Sequence, residues 1–314
     1  MTELEKIVIV IRKTRLEELI ERFNTVSQAK FYIEHAGGDF AEYQREADVY
    51  KASLETVRRS LDLGLKMQQV ERSLVPTMLF TEKDLIVTVG QDGLVANTAR
   101  YVGEQPIVAV NPDPARFDGV LLPFAPQQCR AAVESVMQGN SHERRVTLAE
   151  ASLNDGQRLV AFNDLFVGAA SHVSARYYID WSGNSEAHSS SGVLISTGAG
   201  STGWLSSVFN MTTAVARFAA AVCGDAGRPV PHPQPLPWED PRLVFVVREP
   251  FVSRHSTADV VAGMLEQGAV LRIESLMPSG GVIFGDGVEA DFLQFNSGAI
   301  AKIRAAERQA RLII

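Results

Sequence analysis

Residues 86–93 read Ile86-Val87-Thr88-Val89-Gly90-Gln91-Asp92-Gly93, and this stretch decides the fold. Four apolar or β-branched residues run into Gly-x-Asp-Gly, and a helical pattern follows from Leu94 to Val102. This order predicts a buried strand, a tight glycine turn and the start of a helix. A helix start offers free N–H groups and the positive end of a dipole, which suit an anion such as phosphate. A plain connecting turn explains the same pattern equally well.

Asp92 is the residue of this turn that needs a chemical explanation. A carboxylate repels phosphate, so beside an anion it would have one of two other roles: binding Mg²⁺ or accepting a proton from an attacking hydroxyl. Gly90 and Gly93 let a ligand approach the backbone closely. The sequence therefore makes Gly90, Asp92 and Gly93 candidate site residues.

Around this turn, strands and helices alternate. Leu4 to Ile11 and Ile107 to Val110 have the pattern of buried strands, and 40–63 has that of a helix. The buried stripe expected on that helix is Val49, Leu54, Val57 and Leu61. The alternation predicts a doubly wound, Rossmann-like α/β domain with a parallel sheet. Four prolines between 112 and 126 place its boundary at 124, and a helix over 127–137 opens the next domain.

The second half of the chain has a different pattern. Short runs of strand-forming residues, separated by turn signals such as Asn154-Asp155-Gly156, predict a mainly β domain over 125–298. The predicted strands are 144–153, 158–167, 175–181, 192–197, 242–248, 269–275 and 280–284. One helix, 202–222, interrupts them, with an expected buried stripe of Leu205, Phe209, Val215, Phe218 and Val222.

Composition excludes several classes of protein. The net charge of −7 gives no support for general binding of DNA or RNA. No apolar run approaches the ~20 residues that cross a bilayer, so we expect no membrane contact. The histidines and cysteines form no metal-ligand pattern, which argues against a zinc site. Two unpatterned cysteines, Cys129 and Cys223, indicate a reduced, cytoplasmic setting.

A second glycine-rich turn lies at 196–204 and reads Ser-Thr-Gly-Ala-Gly-Ser-Thr-Gly-Trp. It again leads from a strand into a helix. Its hydroxyl groups, Thr197, Ser201 and Thr202 among them, could meet sugar hydroxyls and phosphates, and Trp204 could stack on a base. The alternative is a glycine–serine connector with a tryptophan in the core.

Two polar residues, Asn163 and Asp164, interrupt the apolar run at 161–167. Polar side chains within a strand need hydrogen-bond partners. A ribose diol could be that partner, because its hydroxyls both donate and accept. A β-bulge or a local bond between side chain and backbone accounts for the pair equally well.

These motifs together resemble the NAD kinase family, and most of all its mitochondrial-type branch. The ordered set is Gly-x-Asp-Gly at 90–93, Asn-Asp at 163–164 and the Ser-Thr…Gly-Ser…Trp turn at 196–204. Further similar stretches lie at 8–15, 110–116, 247–250 and 295–301, so the resemblance spans nearly the whole chain.

The resemblance implies an enzyme that transfers a phosphoryl group from ATP, with Mg²⁺, to the 2′-hydroxyl of the adenosine ribose of NAD. It implies an α/β domain over 1–124, onto which a tail over 299–314 packs, a β domain and a homodimer. It makes Asp92 the base and Asn163 and Asp164 the ribose ligands. It also places Thr202, Trp204 and Ser207 around the nicotinamide or adenine.

Two further candidates stay open. Arg176 could reach a pyrophosphate, but a surface arginine is the simpler interpretation. Asp286, within Phe-Gly-Asp-Gly, could help to hold NAD or Mg²⁺, and a hairpin turn explains it at least as well. Apart from the Mg²⁺ alternatives for Asp92 and Asp286, we predict no metal-binding residues.

The sequence departs from the family motif Gly-Gly-Asp-Gly-Thr at two positions. Gln91 replaces the second glycine, and Leu94 replaces a threonine whose hydroxyl could contact phosphate. These changes keep two alternatives open: a catalytically weak or inactive nucleotide-binding relative, and a kinase of the same superfamily that acts on a sugar or lipid hydroxyl. ATP or polyphosphate as donor, and NAD or NADH as acceptor, also stay open.

Overall fold

The computed structural model describes residues 4–223 and 233–314. It divides into two compact units, one formed by 1–144 with 310–314 and the other by 145–309. The predicted boundary at 124 differs from this division, because helix Cys129–Gln138 buries one face in the core of the first unit. Of the predicted tail 299–314, only residues 310–314 belong to the first unit.

The first unit is built of parallel strands and helices in alternation. Its strands are β1 (Lys6–Ile11), β2 (Lys66–Glu71), β3 (Asp84–Val89) and β4 (Pro106–Val110). Its helices are α1 (Arg15–Phe23), α2 (Val26–His35), α3 (Phe40–Ser60), α4 (Asp92–Ala99) and α5 (Cys129–Gln138). Short 3₁₀ turns lie at Arg72–Thr77 and Pro126–Gln128.

The strand order is β2-β1-β3-β4, and every neighbouring pair is parallel. Arg311 and Leu312 add a further parallel pairing beside β4. Every residue of β3 and β4 is buried, which is typical of a parallel sheet covered on both faces. The carboxyl ends of β1, β3 and β4 therefore share one edge of the sheet, where ligands bind in open α/β sheets.

Helix α3 buries a different stripe from the predicted one. Val57 and Leu61 are buried as expected, but Val49 is 40% exposed. The stripe is instead continued toward the N-terminus of the helix by Glu46, Tyr50 and Ser53. The error has a physical cause: these polar side chains find partners at the sheet edge, so they can be buried at low cost.

The second unit contains two sheets and one long helix. Its elements are β5 (Glu143–Leu153), β6 (Arg158–Ala161), β7 (Asp164–Ala169), β8 (Ala175–Trp181), β9 (Asn184–Ser190), β10 (Val193–Ser196), α6 (Trp204–Val222), β11 (Leu243–Val247), β12 (Ala262–Leu265), β13 (Leu271–Ser275), β14 (Gly281–Gly285), β15 (Phe292–Gln294) and β16 (Ile300–Ile313). The last residues of β16 belong to the first unit.

One sheet contains β5, β6, β8, β9, β13 and β16, and the other has the order β12-β11-β10-β7-β14-β15. Their inner faces enclose an apolar core that includes Tyr177, Phe245 and Phe295. A parallel α/β unit followed by a mainly β unit confirms the predicted fold class. The sequence did not predict β9, β12, β15 or β16.

Helix α6 corrects two expectations. Leu205 is buried, but Val215, Phe218 and Val222 are exposed, so most of the predicted stripe is wrong. By length and composition alone, Gly200–Val222 could cross a membrane, although we expected no such segment; 11% of its apolar window is buried. Length and composition do not by themselves place a helix in a bilayer.

Candidate active site

The glycine turn of the first unit lies where the opening stretch predicts it. β3 ends at Val89, and Asp92 is the first residue of α4. The Gly90 N–H donates to the carbonyl of Val110 at 3.2 Å, which ties the turn to the end of β4. The free N–H groups of the first turn of α4 therefore lie at the carboxyl edge of the sheet.

Asp92 is half-buried, and its carboxylate is held from one side. The backbone N–H of Leu121 donates to Asp92 Oδ1 at 2.7 Å. A backbone donor fixes the orientation of the carboxylate without neutralising it.

The two departures from the family motif have different environments. Leu94 is buried and packs beneath the turn, so closely that a Cβ on Gly90 would lie 2.7 Å from Leu94 Cδ2. A side chain at position 90 would therefore require Leu94 to shift. A Cβ on Gly93 would meet nothing within 4 Å, so packing within the chain does not require this glycine.

Helix α3 connects the ends of three strands at this edge. The N–H of Arg12, after β1, donates to the hydroxyl of Tyr50 at 3.0 Å, and that hydroxyl donates to the carbonyl of Val89 at 2.9 Å. Ser53 donates to the carbonyl of Pro112, after β4, at 2.6 Å. One helix thus positions the segments that surround Gly90 and Asp92.

In the second unit, Asp286 organises the segment that carries Asn163 and Asp164. Asp286 Oδ2 accepts from the N–H of Phe162 at 2.9 Å, and Oδ1 accepts from those of Asn163 at 2.6 Å and Asp164 at 3.3 Å. Asp286 has a left-handed backbone with φ 55°. In the described structure its carboxylate holds the break between β6 and β7, and its role toward NAD or Mg²⁺ stays a prediction.

Asp164 is a buried carboxyl group with an unused acceptor. Its side-chain Oδ1 is buried and has no hydrogen-bond partner within the described part of the chain. Burial raises the pKa of Asp164 to about 7; the hydroxyl of Ser196 offsets part of the rise, and the charge of Asp286 adds to it. A buried polar atom without a partner is a place where a ligand hydroxyl can bind.

The second glycine turn packs directly against Asp164. A Cβ on Gly200 would lie 2.6 Å from Asp164 Oδ1 and closer still to the carbonyl of Asn163. The Thr197 hydroxyl donates to the carbonyl of Phe162 at 2.7 Å, and Ser201 donates to that of Gly198 at 2.7 Å. The hydroxyls of Thr197 and Ser201 are therefore used within the protein.

Thr202 and Ser207 are exposed, and Trp204 is partly buried beside a cavity. The Trp204 ring is stacked on Phe166 with centroids 5.7 Å apart, and the Arg248 guanidinium lies 5.4 Å from the Trp204 ring centre. The cavity has a volume of about 680 Å³ and is also lined by Phe284 and Ser191. Its flat aromatic walls suit a planar ring.

Arg176 is a surface residue of the second unit. Arg176 is exposed on β8, beside Tyr177, whose side chain packs in the core. Because strand residues alternate in direction, the Arg176 side chain faces away from that core. A contact between Arg176 and a pyrophosphate stays a prediction.

Sequence reasoning missed Phe166 and Tyr50 as site residues. A Cβ on either Gly168 or Gly192 would lie 2.6 Å from the tip of the Phe166 ring. Gly168, inside β7, was a usable signal, because a glycine inside a strand often makes room for a close neighbour; Gly192 lies in the turn just before β10. Tyr50 gave no signal, because its role depends on the end of β3.

The sequence is similar to curated NAD kinases. It is 23% identical to NAD kinase 2, mitochondrial, of Rattus norvegicus over 319 residues, which cover 79% of this chain and 74% of the relative. It is 26% identical to the NAD kinase of Prosthecochloris aestuarii over 140 residues, which cover 43% of this chain and 48% of the relative. The sequence matches no protein-family model.

Solved structures show the same fold. Yeast NADH kinase, complexed with NADH, matches 99% of this chain and 83% of its own with a TM-score of 0.58 and 15% identity. The NAD kinase of Archaeoglobus fulgidus, in complex with ATP, matches 98% and 93% with a TM-score of 0.54 and 16% identity.

The fold is the two-domain fold of these solved structures, with an acidic glycine turn in its α/β unit. The comparisons confirm the predicted resemblance: the chain is similar to the NAD kinase family in sequence and has the NAD kinase fold.

Proposed function

We propose that this protein is an NAD kinase that transfers a phosphoryl group from ATP to the 2′-hydroxyl of the adenosine ribose of NAD. The observation that carries the proposal is the buried Asp164 Oδ1, which lacks a partner among the described residues and lies against Gly200. A ribose diol supplies the donors that this atom lacks. The names of the relatives and of the solved structures support the same acceptor.

Asp92 is the general base in this proposal. As the 2′-hydroxyl oxygen attacks the terminal phosphorus of ATP, the bond from that phosphorus to the bridging oxygen breaks and ADP leaves. The hydroxyl proton passes to the carboxylate of Asp92. The N–H of Leu121 keeps that carboxylate oriented while the proton moves.

Mg²⁺ would enter with the phosphates of ATP and neutralise the charge that develops on them. No three His, Cys, Asp or Glu side chains in residues 4–223 and 233–314 are grouped to hold a metal ion. Mg²⁺ does not need such a group, because it is commonly held by one or two carboxylates, phosphates and water. Because this proposal assigns Asp92 to the proton of the attacking hydroxyl, Mg²⁺ would be held by the ATP phosphates and water.

A nucleotide-binding protein without activity is the second candidate, and Leu94 is the observation that favours it. The buried leucine cannot offer the hydroxyl that the family motif supplies at this position.

The homodimer and the cytoplasmic location also remain proposals. Both cysteines are free, which agrees with a reducing compartment.

An acceptor panel tests the proposed function. Purified protein with Mg²⁺ and ATP is given NAD, NADH, glucose or diacylglycerol, and the formation of ADP is followed. We expect NAD or NADH to give the fastest ADP formation. Turnover confined to glucose or the lipid would assign the protein to another kinase class, and NAD binding without turnover would favour the inactive relative.

The pH dependence of NAD binding tests the role of Asp164. The pKa of about 7 means that the free protein carries a protonated Asp164 below that pH. Binding of two ribose donors requires the carboxylate, so at low pH a proton must first be lost. We expect the Kd for NAD, measured by calorimetry, to be about tenfold higher at pH 6 than at pH 8.

Asp164→Asn is the matched variant for this titration, and its weaker affinity should not change between pH 6 and pH 8. A wild-type Kd that is flat with pH, or lower at pH 6, would contradict the role of the carboxylate.

Stability should change with pH in the opposite sense to NAD affinity. Because its pKa is raised, Asp164 keeps a proton in the folded chain that it has already lost in the unfolded chain. The contribution of Asp164 to stability therefore falls as the pH rises from about 4 to about 7, so the wild type should lose stability relative to Asp164→Asn over this range.

A further inference from the structure

Three arginines of the first unit converge on one buried glutamate, Glu46 of α3. Arg12 Nη2 lies 3.3 Å from Glu46 Oε1, and Arg15 Nη2 and Arg116 Nη1 lie 2.6 Å and 3.5 Å from Oε2. The Glu46 side chain is 6% exposed, whereas those of Arg15 and Arg116 are 43% and 37% exposed. The group of these four residues, the Glu46 cluster, thus has an acidic centre and a basic outer surface.

The positive charge of the Glu46 cluster is not balanced within it. Burial acts to raise the pKa of Glu46, but the hydrogen bonds and charges of Arg15 and Arg12 outweigh burial and lower it. Glu46 is therefore ionised, and three guanidinium groups against one carboxylate leave a formal charge of +2. Glu42 attracts Arg15 more weakly.

Hydrogen-bonding capacity is also left over. Each guanidinium has five N–H donors, and one carboxylate cannot satisfy three such groups. Arg12 Nε is buried and has no hydrogen-bond partner within the described residues. Phosphate oxygens match the paired donors of arginine, so a phosphate group is the chemical complement of this surface.

The Glu46 cluster lies at the edge of the sheet that also carries the glycine turn. Arg12 follows β1 and Arg116 follows β4, the two strands on either side of β3. The Tyr50 hydroxyl links the N–H of Arg12 to the carbonyl of Val89, the residue before Gly90. The arginines and Asp92 thus belong to one connected edge of the first unit.

We propose that Arg12, Arg15 and Arg116 bind the phosphate chain of the phosphoryl donor. The buried Glu46 carboxylate orients the three guanidiniums from the protein interior. Their outward-facing N–H groups can then donate to the ligand. The charge of these arginines replaces the phosphate contact that a threonine hydroxyl would offer at position 94, where this chain has leucine. That the bound anion is a phosphoryl donor depends on the proposed function; that the cluster binds linked phosphates does not.

The test is calorimetric titration of the full-length protein with sodium tripolyphosphate, which is a phosphate chain without a base. Arg116→Gln is the first variant, because Arg12 and Arg15 still neutralise Glu46 and the fold should persist. Arg15→Gln is the second. Arg130→Gln is the control, since Arg130 lies on α5 of the same unit and pairs with Glu134.

We expect Arg116→Gln and Arg15→Gln each to raise the Kd for tripolyphosphate at least about tenfold, the loss of one charge-assisted contact. Arg116→Lys should restore part of the affinity, and Arg130→Gln should bind like wild type. In turnover assays the KM for ATP should rise in parallel, with the KM for NAD within about twofold.

A wild-type protein that does not bind tripolyphosphate would overturn the inference, and so would folded variants that bind it with unchanged affinity. The proposed function fails separately. Arginine-dependent binding of tripolyphosphate without any NADP formation would keep the phosphate site and reject the kinase. NADP formation with an unchanged KM for ATP in the variants would keep the kinase and reject the site.

Discussion

Replacement of Asp92 by asparagine is expected to lower kcat for NADP formation at least ~100-fold and to leave the KM for NAD nearly unchanged. Asparagine has almost the same shape, and its carbonyl oxygen can still accept from the N–H of Leu121. It cannot take up the proton of the attacking hydroxyl. The loss should therefore appear in the chemical step and leave acceptor binding intact.

The measurement is steady-state kinetics of both proteins with Mg²⁺ and ATP. Asp62→Asn is the matched control, because Asp62 is an exposed aspartate of the same unit, in the loop after α3. It should keep wild-type rates. An Asp92→Asn enzyme within about threefold of wild type would show that another group accepts the proton, or that none is needed.

Gly200→Ala should both destabilise the second unit and abolish NAD binding. The added Cβ would lie 2.6 Å from both Asp164 Oδ1 and Ser196 Oγ, and its closest neighbour is a backbone carbonyl, which cannot move aside like a flexible side chain. Forced overpacking of this kind costs about 1–3 kcal/mol of stability. The displaced Asp164 should also lose its alignment with the ribose, so NAD binding should fall below detection.

Thermal unfolding and NAD calorimetry measure the two parts of this prediction. Gly93→Ala is the control for stability, since a Cβ there meets nothing within 4 Å and alanine favours a helix by about 0.5–1 kcal/mol over glycine. A Gly200→Ala protein with wild-type stability and NAD affinity would refute the packing of this turn against Asp164.

Local patterns were enough to predict the fold class. The apolar run 86–89 followed by a glycine turn gave β3 and α4, because a strand buried on both faces needs continuous apolar residues. Polar segments gave no comparable signal. The strand Asn184–Ser190 was missed because its sequence, Asn-Ser-Glu-Ala-His-Ser-Ser, has no apolar alternation.

The buried stripe of α3 shows why the site was only partly predictable. Helical spacing identified Val57 and Leu61, but it favoured the apolar Val49 over Glu46 and Tyr50. Those two are buried because Arg12, Arg15 and the end of β3 provide their partners. These partners are distant in sequence, so spacing within the helix could not indicate them.

The candidate site residues of the second unit were also only partly predictable from the sequence. Asn163 and Asp164 stood out as polar residues in an apolar run, and the structure places them beside Gly200. That Asp286 would hold their backbone could not be read from the sequence, because it depends on pairing between β7 and β14. In α6, the spacing of apolar residues gave the helix but not which face is buried.

The most direct test of the central claim is product analysis of the wild-type protein with NAD, ATP and Mg²⁺. A dehydrogenase that accepts NADP but not NAD detects the product, and ³¹P NMR locates the new phosphate. We predict NADP with the phosphate on the 2′-oxygen, formed one for one with ADP. ADP formed without any phosphate on NAD, or no turnover by a protein that binds NAD, would contradict the assignment as an NAD kinase.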